Sequence, residues 1–333
     1  MKAIPQEWHD LARALRALPG VVECTFASSD QGSQPDELSV FLRFLLEDTE
    51  GKIDLVDAKG LPHPAEYLSL PCLSFGSRGV VNVHFYAPPS GFEAAVFRDI
   101  LFGLAARRAP DPFPPLGASD WHGAEILCFC SPSCSKCPQT LRAVAALAVD
   151  YSWIELHILE VERFTELARE YGIKSVPATL INREILQIGL VEREKVLSLV
   201  AAPGSLEYAR ERIRSLVNNG KAVQAGQLLV AARDPRILMP LFKNAPFSER
   251  IGLLVAIEEA LSRDPRCLDA SVDDLVSIVF EGDRHLRGDA AYLLGKISHE
   301  NARKALRGLL ADPDPDVAEI AREALDEVPS PHG

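Results

Sequence analysis

The stretch Cys128-Phe129-Cys130-Ser131-Pro132-Ser133-Cys134-Ser135-Lys136-Cys137-Pro138 holds four of the seven cysteines in this 333-residue chain. Glu125 to Cys130 reads as a strand, and residues 135–149 read as a helix with Leu141, Val144, Leu147 and Ala148 along one stripe. The cysteines therefore fall at a strand-to-helix junction. A thiolate on Cys134 at the start of that helix faces unpaired backbone N–H groups and the positive end of the helix dipole, and both favour the anion. Cys137 lies one turn away, within reach of a mixed disulfide on Cys134. The pattern predicts thiol–disulfide exchange, with Cys134 exposed and Cys137 buried beneath it. Ser135 and Lys136, between the two, are the candidates for tuning the thiolate.

Working outward, the segment after the junction continues as strand Ile154–Leu159, helix Phe164–Tyr171 ended by Gly172, a hairpin of Ala178–Ile181 and Ile185–Ile188 turning at Asn182 and Arg183, and helix Val196–Val200. Upstream, the same order precedes it. A helix over residues 5–18 is followed by strand Val21–Phe26, helix Leu38–Leu46 and strand Ile53–Val56. A hairpin of Cys72–Phe75 and Val80–Phe85, around Gly76 and Gly79, leads to an apolar helix over 92–106. Two tandem α/β units follow, residues 1–109 and 124–203, joined by a proline-rich connection over 110–123.

Beyond Pro203 the period becomes helical throughout, with Pro235, Pro265, Pro313 and Pro315 each next to Asp. Asp caps free N–H groups and proline tolerates the first turn, so these pairs predict helix starts. Residues 204–329 form helix pairs with short connections, an α-solenoid.

Residues 124–201 resemble a thioredoxin fold. The resemblance rests on the C-x-x-C at the strand–helix junction, on Val176-Pro177 just before the next strand, and on the hairpin and final helix after it. It implies that Val176 and Pro177, the latter with a cis bond, position the substrate beside the cysteine pair. Residues 1–201 together resemble tandem thioredoxin-fold proteins, namely glutaredoxin-like protein disulfide oxidoreductases and the N-terminal domain of the alkyl hydroperoxide reductase flavoprotein subunit. In the latter, one fold lacks the cysteine pair. Here the first unit has Ser28-Ser29-Asp30 after its strand, and Leu70-Pro71 where its proline feature falls. Within the helical region, Leu286–Gly295 and Asp314–Val328 resemble HEAT-like repeats, whose stacked helices present a binding face to a protein partner.

Two departures from the family matter. Thioredoxins carry a buried acid on the strand beneath the second cysteine, and Cys128 occupies that position here. Glu125 replaces it only if the strand turns it inward. No glycine-rich dinucleotide fingerprint is present either, so no cofactor is expected, and electrons come from a separate reductase or a small thiol.

Composition narrows the alternatives. The net charge of −12 argues against a nucleic-acid surface, and no run of apolar residues is long enough to cross a bilayer. Glu7, His9 and Asp10 interrupt the N-terminal stretch, which predicts no secretory leader and a cytoplasmic location. The spacing of Cys128, Cys130, Cys134 and Cys137 also suits zinc if the segment is a loop, although alternation on a strand points the first two the same way. Cys130 is a packed thiol or a second redox group, and Cys72 is a core residue or a partner in an unusual exchange. Cys24 and Cys267 read as core residues. The eight histidines are scattered and form no recognisable metal motif, so no metal is expected. A non-catalytic scaffold built of these modules is the alternative to an enzyme.

Overall fold

The computed structural model describes residues 4–28, 36–57, 68, 71–107, 123–232 and 234–328. The connection over 110–123 lies outside the described residues except for Gly123, as do Ser29, Asp30 and Leu70. The chain divides into two compact units, Met1–Pro203 and Gly204–Gly333.

In the first unit, α1 (Gln6–Leu15) buries Trp8, Leu11, Ala12 and Leu15 at helical spacing. It leads into β1 (Val22–Ala27), α2 (Glu37–Asp48), β2 (Ile53–Leu55), β3 (Cys72–Ser77), β4 (Val80–Phe85) and α3 (Glu93–Ala106). The order then recurs as β5 (Ala124–Cys130), α4 (Cys137–Asp150), β6 (Ile154–Glu160), α5 (Thr165–Glu170), β7 (Ala178–Ile181), β8 (Ile185–Ile188) and α6 (Arg193–Ala201). Asp36 caps α2 by accepting the Ser39 N–H at 2.8 Å. Both hairpins close through two residues of positive φ, Arg78-Gly79 and Asn182-Arg183, whose twist matches that of the strands they join.

The strands form one sheet in the order β2-β1-β3-β4-β6-β5-β7-β8. Each half contains a parallel pair, β1 with β2 and β5 with β6, followed by two antiparallel steps. The halves are thus two copies of one α/β motif laid edge to edge. The junction is the parallel pairing of β4 with β6, in register Val83 with Leu156, His84 with His157 and Phe85 with Ile158. This pairing covers two edges that would otherwise expose unpaired backbone groups.

An aromatic cluster fills the first half. The Phe97 ring on α3 lies 5.7 Å from Phe41, 5.2 Å from Phe75 and 5.0 Å from Phe85. In the second half, Leu127 and Phe129 of β5 pack with Leu159, Phe164, Ala178 and Leu180 on one face of the sheet. Strand alternation turns Cys128 and Cys130 to the other face.

The second unit is all helical: α7 (Leu206–Asn218), α8 (Ala222–Ala232), α9 (Pro235–Asn244), α10 (Phe247–Arg263), α11 (Val272–Glu281), α12 (Arg284–Gly295), α13 (Glu300–Leu309) and α14 (Pro315–Glu327). One apolar core runs through it from Ile213 to Val328. Asp234 and Asp314 cap α9 and α14 with proline next in line, as the Asp-Pro pattern predicts. The other two pairs behave differently. Asp264-Pro265 follows the end of α10, and Asp264 accepts the Arg266 N–H in a turn. Asp312 turns its carboxylate to Arg287, at 2.9 and 3.1 Å, and Pro313 stays outside any helix. No described helix is long and apolar enough to cross a membrane.

Candidate active site

β5 ends at Cys130, and six residues of turn separate it from α4. Ser131 anchors this turn: its carbonyl accepts the Cys134 N–H at 2.9 Å, and its hydroxyl donates to Glu162 at 2.6 Å. The helix opens at Cys137 rather than at residue 135. Pro138 explains the difference. A helix begun two residues earlier would need an N–H from position 138 for its first internal bond, and proline has none. Cys134 therefore sits just ahead of the helix instead of within its first turn. The electrostatic expectation survives the shift, because the Cys137 N–H points at the Cys134 sulfur, 3.1 Å away.

Cys134 and Cys137 form a disulfide, with their Cα atoms 5.4 Å apart. Cys137 is buried, 1% exposed. Cys134 is half-buried rather than fully exposed. The antiparallel pairing of β7 with β5, Ala178 opposite Phe129, carries the preceding Val176-Pro177 alongside. That peptide bond is cis, and the Val176 carbonyl lies 3.8 Å from the Cys134 sulfur. Pro177 is buried, and its carbonyl accepts the Gly189 N–H at 2.8 Å. Ser135 and Lys136 are both exposed, and among the described residues neither makes a hydrogen bond or ion pair to the sulfur of Cys134.

Cys128 and Cys130 are fully buried. Burial, with the nearby charge of Glu93, pushes the Cys128 thiol up to about 12 and the Cys130 thiol well above its ordinary value. Neither is a ready nucleophile. Nor do the four clustered cysteines form a metal-ligand set among the described residues. Cys72 is likewise buried, its thiol pushed up to about 11 by desolvation against hydrogen bonds from Ser74 and Tyr86. Cys24 is raised to about 12 by burial and the charge of Asp54.

Glu125 does not supply the missing acid. It lies at the opposite end of β5 from the cysteine turn, and it pairs with Arg183 at 3.0 Å. A buried acid does reach the end of β5, from a helix of the first half. Glu93, first residue of α3, is 4% exposed. Its carboxyl is raised to about 7, mainly by burial, with the charges of Glu160 and Glu162 adding and a hydrogen bond with Cys130 opposing. α3 packs along α4, so Glu93 and Cys137 open two neighbouring helices. The loop before α3 also presses on the cysteine turn. Gly91 has φ 55°, and a Cβ there would meet the Pro132 carbonyl oxygen at 2.8 Å. Local sequence could not single out Glu93, because an acid in a helix's first turn is an ordinary dipole partner.

Known proteins match the second half in sequence, and some solved structures align over more than half of the chain. The family described as Thioredoxin domain matches residues 124–201. Thioredoxin of Methanocaldococcus jannaschii is 31% identical over 77 residues, which is 23% of this chain and 91% of that protein. Among solved structures, the alkylhydroperoxide reductase AhpF of Enterococcus faecalis aligns over 59% of this chain and 99% of that chain, at 22% identity and a TM-score of 0.47. A protein disulfide oxidoreductase from Aeropyrum pernix aligns over 61% of this chain and 94% of that chain, at 18% identity and a TM-score of 0.46. With the cysteine disulfide at the strand–helix turn and the cis proline beside it, the chain belongs to the thioredoxin family and is a thiol–disulfide oxidoreductase.

Proposed function

We propose that the chain reduces disulfides in protein substrates, with Cys134 as nucleophile and Cys137 as resolving thiol. The observation that carries this reading is the asymmetry of the pair. Cys134 is half-buried and receives the N–H of Cys137, whereas Cys137 is closed off from solvent. A thiolate on Cys134 attacks the substrate disulfide, forms a mixed disulfide and releases one substrate thiolate. The Cys137 thiol then gives up its proton and attacks the Cys134 sulfur. The second substrate sulfur leaves, and the Cys134–Cys137 disulfide forms. Two electrons and two protons from a separate reductase or a small thiol restore the dithiol.

Glu93 is the proton acceptor for Cys137 in this scheme. A carboxyl near 7 is matched to proton transfer at neutral pH, and its position beside Cys130 lies in the buried layer under the turn. Val176 and Pro177 line the approach to Cys134 and align the substrate backbone. The first half is a docking and supporting copy. The helical unit reads as a HEAT-like solenoid that recognises the partner. Phe247, Ile251, Val255 and Phe280 are exposed apolar side chains on it, which suits that role. A cytoplasmic setting favours the reducing direction.

The test is a trap. Full-length chain carrying Cys137→Ser should hold a protein substrate as a mixed disulfide, released by dithiothreitol and absent when Cys134→Ser is added. A covalent adduct that survives the loss of Cys134 would refute the assignment.

A further inference from the structure

Across the seam of the two halves, His84 of β4 and His157 of β6 are register partners. Their rings stack with centroids 4.5 Å apart and planes 18° apart. Both are shut away from solvent, at 2% and 0% exposure. Each ring is held by one nitrogen: His84 Nδ1 lies 2.8 Å from the Ser74 hydroxyl, and His157 Nδ1 lies 2.9 Å from the Tyr86 hydroxyl. The other nitrogen of each ring, Nε2, has no hydrogen-bond partner among the described residues. Two buried, unsatisfied ring nitrogens in one place are costly unless something occupies them.

The surroundings point to a cation. Glu155 precedes His157 by two residues on the same face of β6, and its Oε2 is 3.9 Å from His157 Nε2. One ligand atom from each of His84, Glu155 and His157 lies within 4.8 Å of the other two. A second carboxylate oxygen, Glu125 Oε1, is 3.7 Å from His157 Nε2. Glu125 already pairs through its other oxygen with Arg183 at 3.0 Å, so Glu155 is the acid left to face the rings. Metal-binding histidines are oriented by a hydrogen bond at the nitrogen that does not ligate, and here Nδ1 of each ring is held by a hydroxyl while Nε2 is left for a ligand. Leu127 is the register partner of His157, so the rings occupy the sheet face opposite Cys128 and Cys130. The cluster is separate from the redox pair.

We propose that His84, His157 and Glu155 bind one divalent transition-metal ion, zinc by ligand preference, at the β4–β6 seam, where it clamps the two halves of the sheet. Two imidazoles and a carboxylate form a common zinc set, and water or Glu125 completes four-coordination. Ligand atoms around tetrahedral zinc stand roughly 3.3 Å apart and each imidazole ligates in its own ring plane, so closing the set turns one ring out of the stack as the half-buried Glu155 moves inward.

The test uses full-length chain carrying Cys134→Ser and Cys137→Ser, which removes the thiols most able to capture metal. Titrated with Co²⁺ as a spectroscopic probe, it should take up one ion per chain with visible absorption of a tetrahedral N/O site and no thiolate charge-transfer band. Zn²⁺ should displace the Co²⁺ and raise the unfolding midpoint. Glu155→Gln, a half-exposed change that keeps side-chain size, should weaken binding at least about tenfold, and His157→Gln should abolish it. Absence of bound Co²⁺, or binding that is unchanged in Glu155→Gln, would overturn the proposal.

Discussion

After β5 the chain turns through Cys134 and Cys137 into α4. After β1 it passes Ser28 and reaches α2 with no cysteine in between. The strand order is otherwise repeated, and each half buries its own apolar layer, Phe41, Phe75 and Phe97 in one and Leu127, Phe129 and Leu180 in the other. The comparison separates two demands on a sequence. Keeping the fold requires large side chains at alternating strand positions and along helix stripes. Running the redox step requires one turn of six residues and a proline before β7. The first half meets only the former demand, yet it is not inert. It sends the Glu93 carboxyl to Cys130 at the end of β5, sets Gly91 against Pro132, and lends His84 to the seam. One half carries the cysteine pair, and the other packs a buried carboxyl beside Cys130.

Replacing sulfur in the active half should have the largest effect. Cys134→Ser should lower reduction of a protein disulfide such as insulin, with dithiothreitol as donor, on the order of a thousandfold, leaving far-ultraviolet circular dichroism unchanged. A comparable change at Cys72 should leave turnover intact, and loss of activity there would break the division between the halves. Next in size is a packing change in the first half. Phe97→Ala, which empties the centre of the aromatic cluster, should cost about 4 kcal/mol in denaturant unfolding. Because the sheet is continuous through β4 and β6, the loss should appear in the unfolding of both halves together; a separate transition confined to the first half would show that they fold independently.

Glu93→Gln sharpens the comparison, since the residue belongs to one half and acts in the other. The wild-type rate of mixed-disulfide resolution should rise as pH passes through about 7, where Glu93 ionises and becomes a base. The variant should lose that step and run about tenfold slower above it, a difference of about 1.4 kcal/mol. Stability should move the other way. Between the ordinary carboxyl value of 4.5 and about 7, the unfolded chain is ionised at this position and the folded chain is not, so stability falls as pH rises across that window. By pH 8 the glutamine variant should be the more stable by roughly 3 kcal/mol in urea titrations at matched pH. A rate profile unchanged by the substitution would leave Glu93 a packing residue. The smallest change is Gly91→Ala, where positive φ and the 2.8 Å approach to Pro132 oppose a Cβ. It should cost about 1 kcal/mol and slow turnover a few-fold by shifting the cysteine turn.

How much of this was legible in the sequence follows from distance along the chain. The C-x-x-C, the Val176-Pro177 pair, the Asn182-Arg183 turn and the helix stripes are local patterns, and the elements fall where those patterns put them to within a few residues. Where local rules compete, the reading slips. Pro138 delays α4 to Cys137, and Asp264-Pro265 follows a helix instead of opening one. Glu125, the acid nearest the cysteines on the same strand, proved to face Arg183, while Glu93 arrived from α3.

The sequence alone determined the two α/β halves, the helical remainder and the redox cysteines, because periodicity, turn residues and residue chemistry act between neighbours along the chain. The tertiary structure alone decided which acid is buried beside Cys130 and which histidines meet. Those outcomes depend on β4 pairing with β6 and α3 lying along α4. Such long-range pairings bring side chains together by sheet register and helix packing, which no short window of sequence encodes.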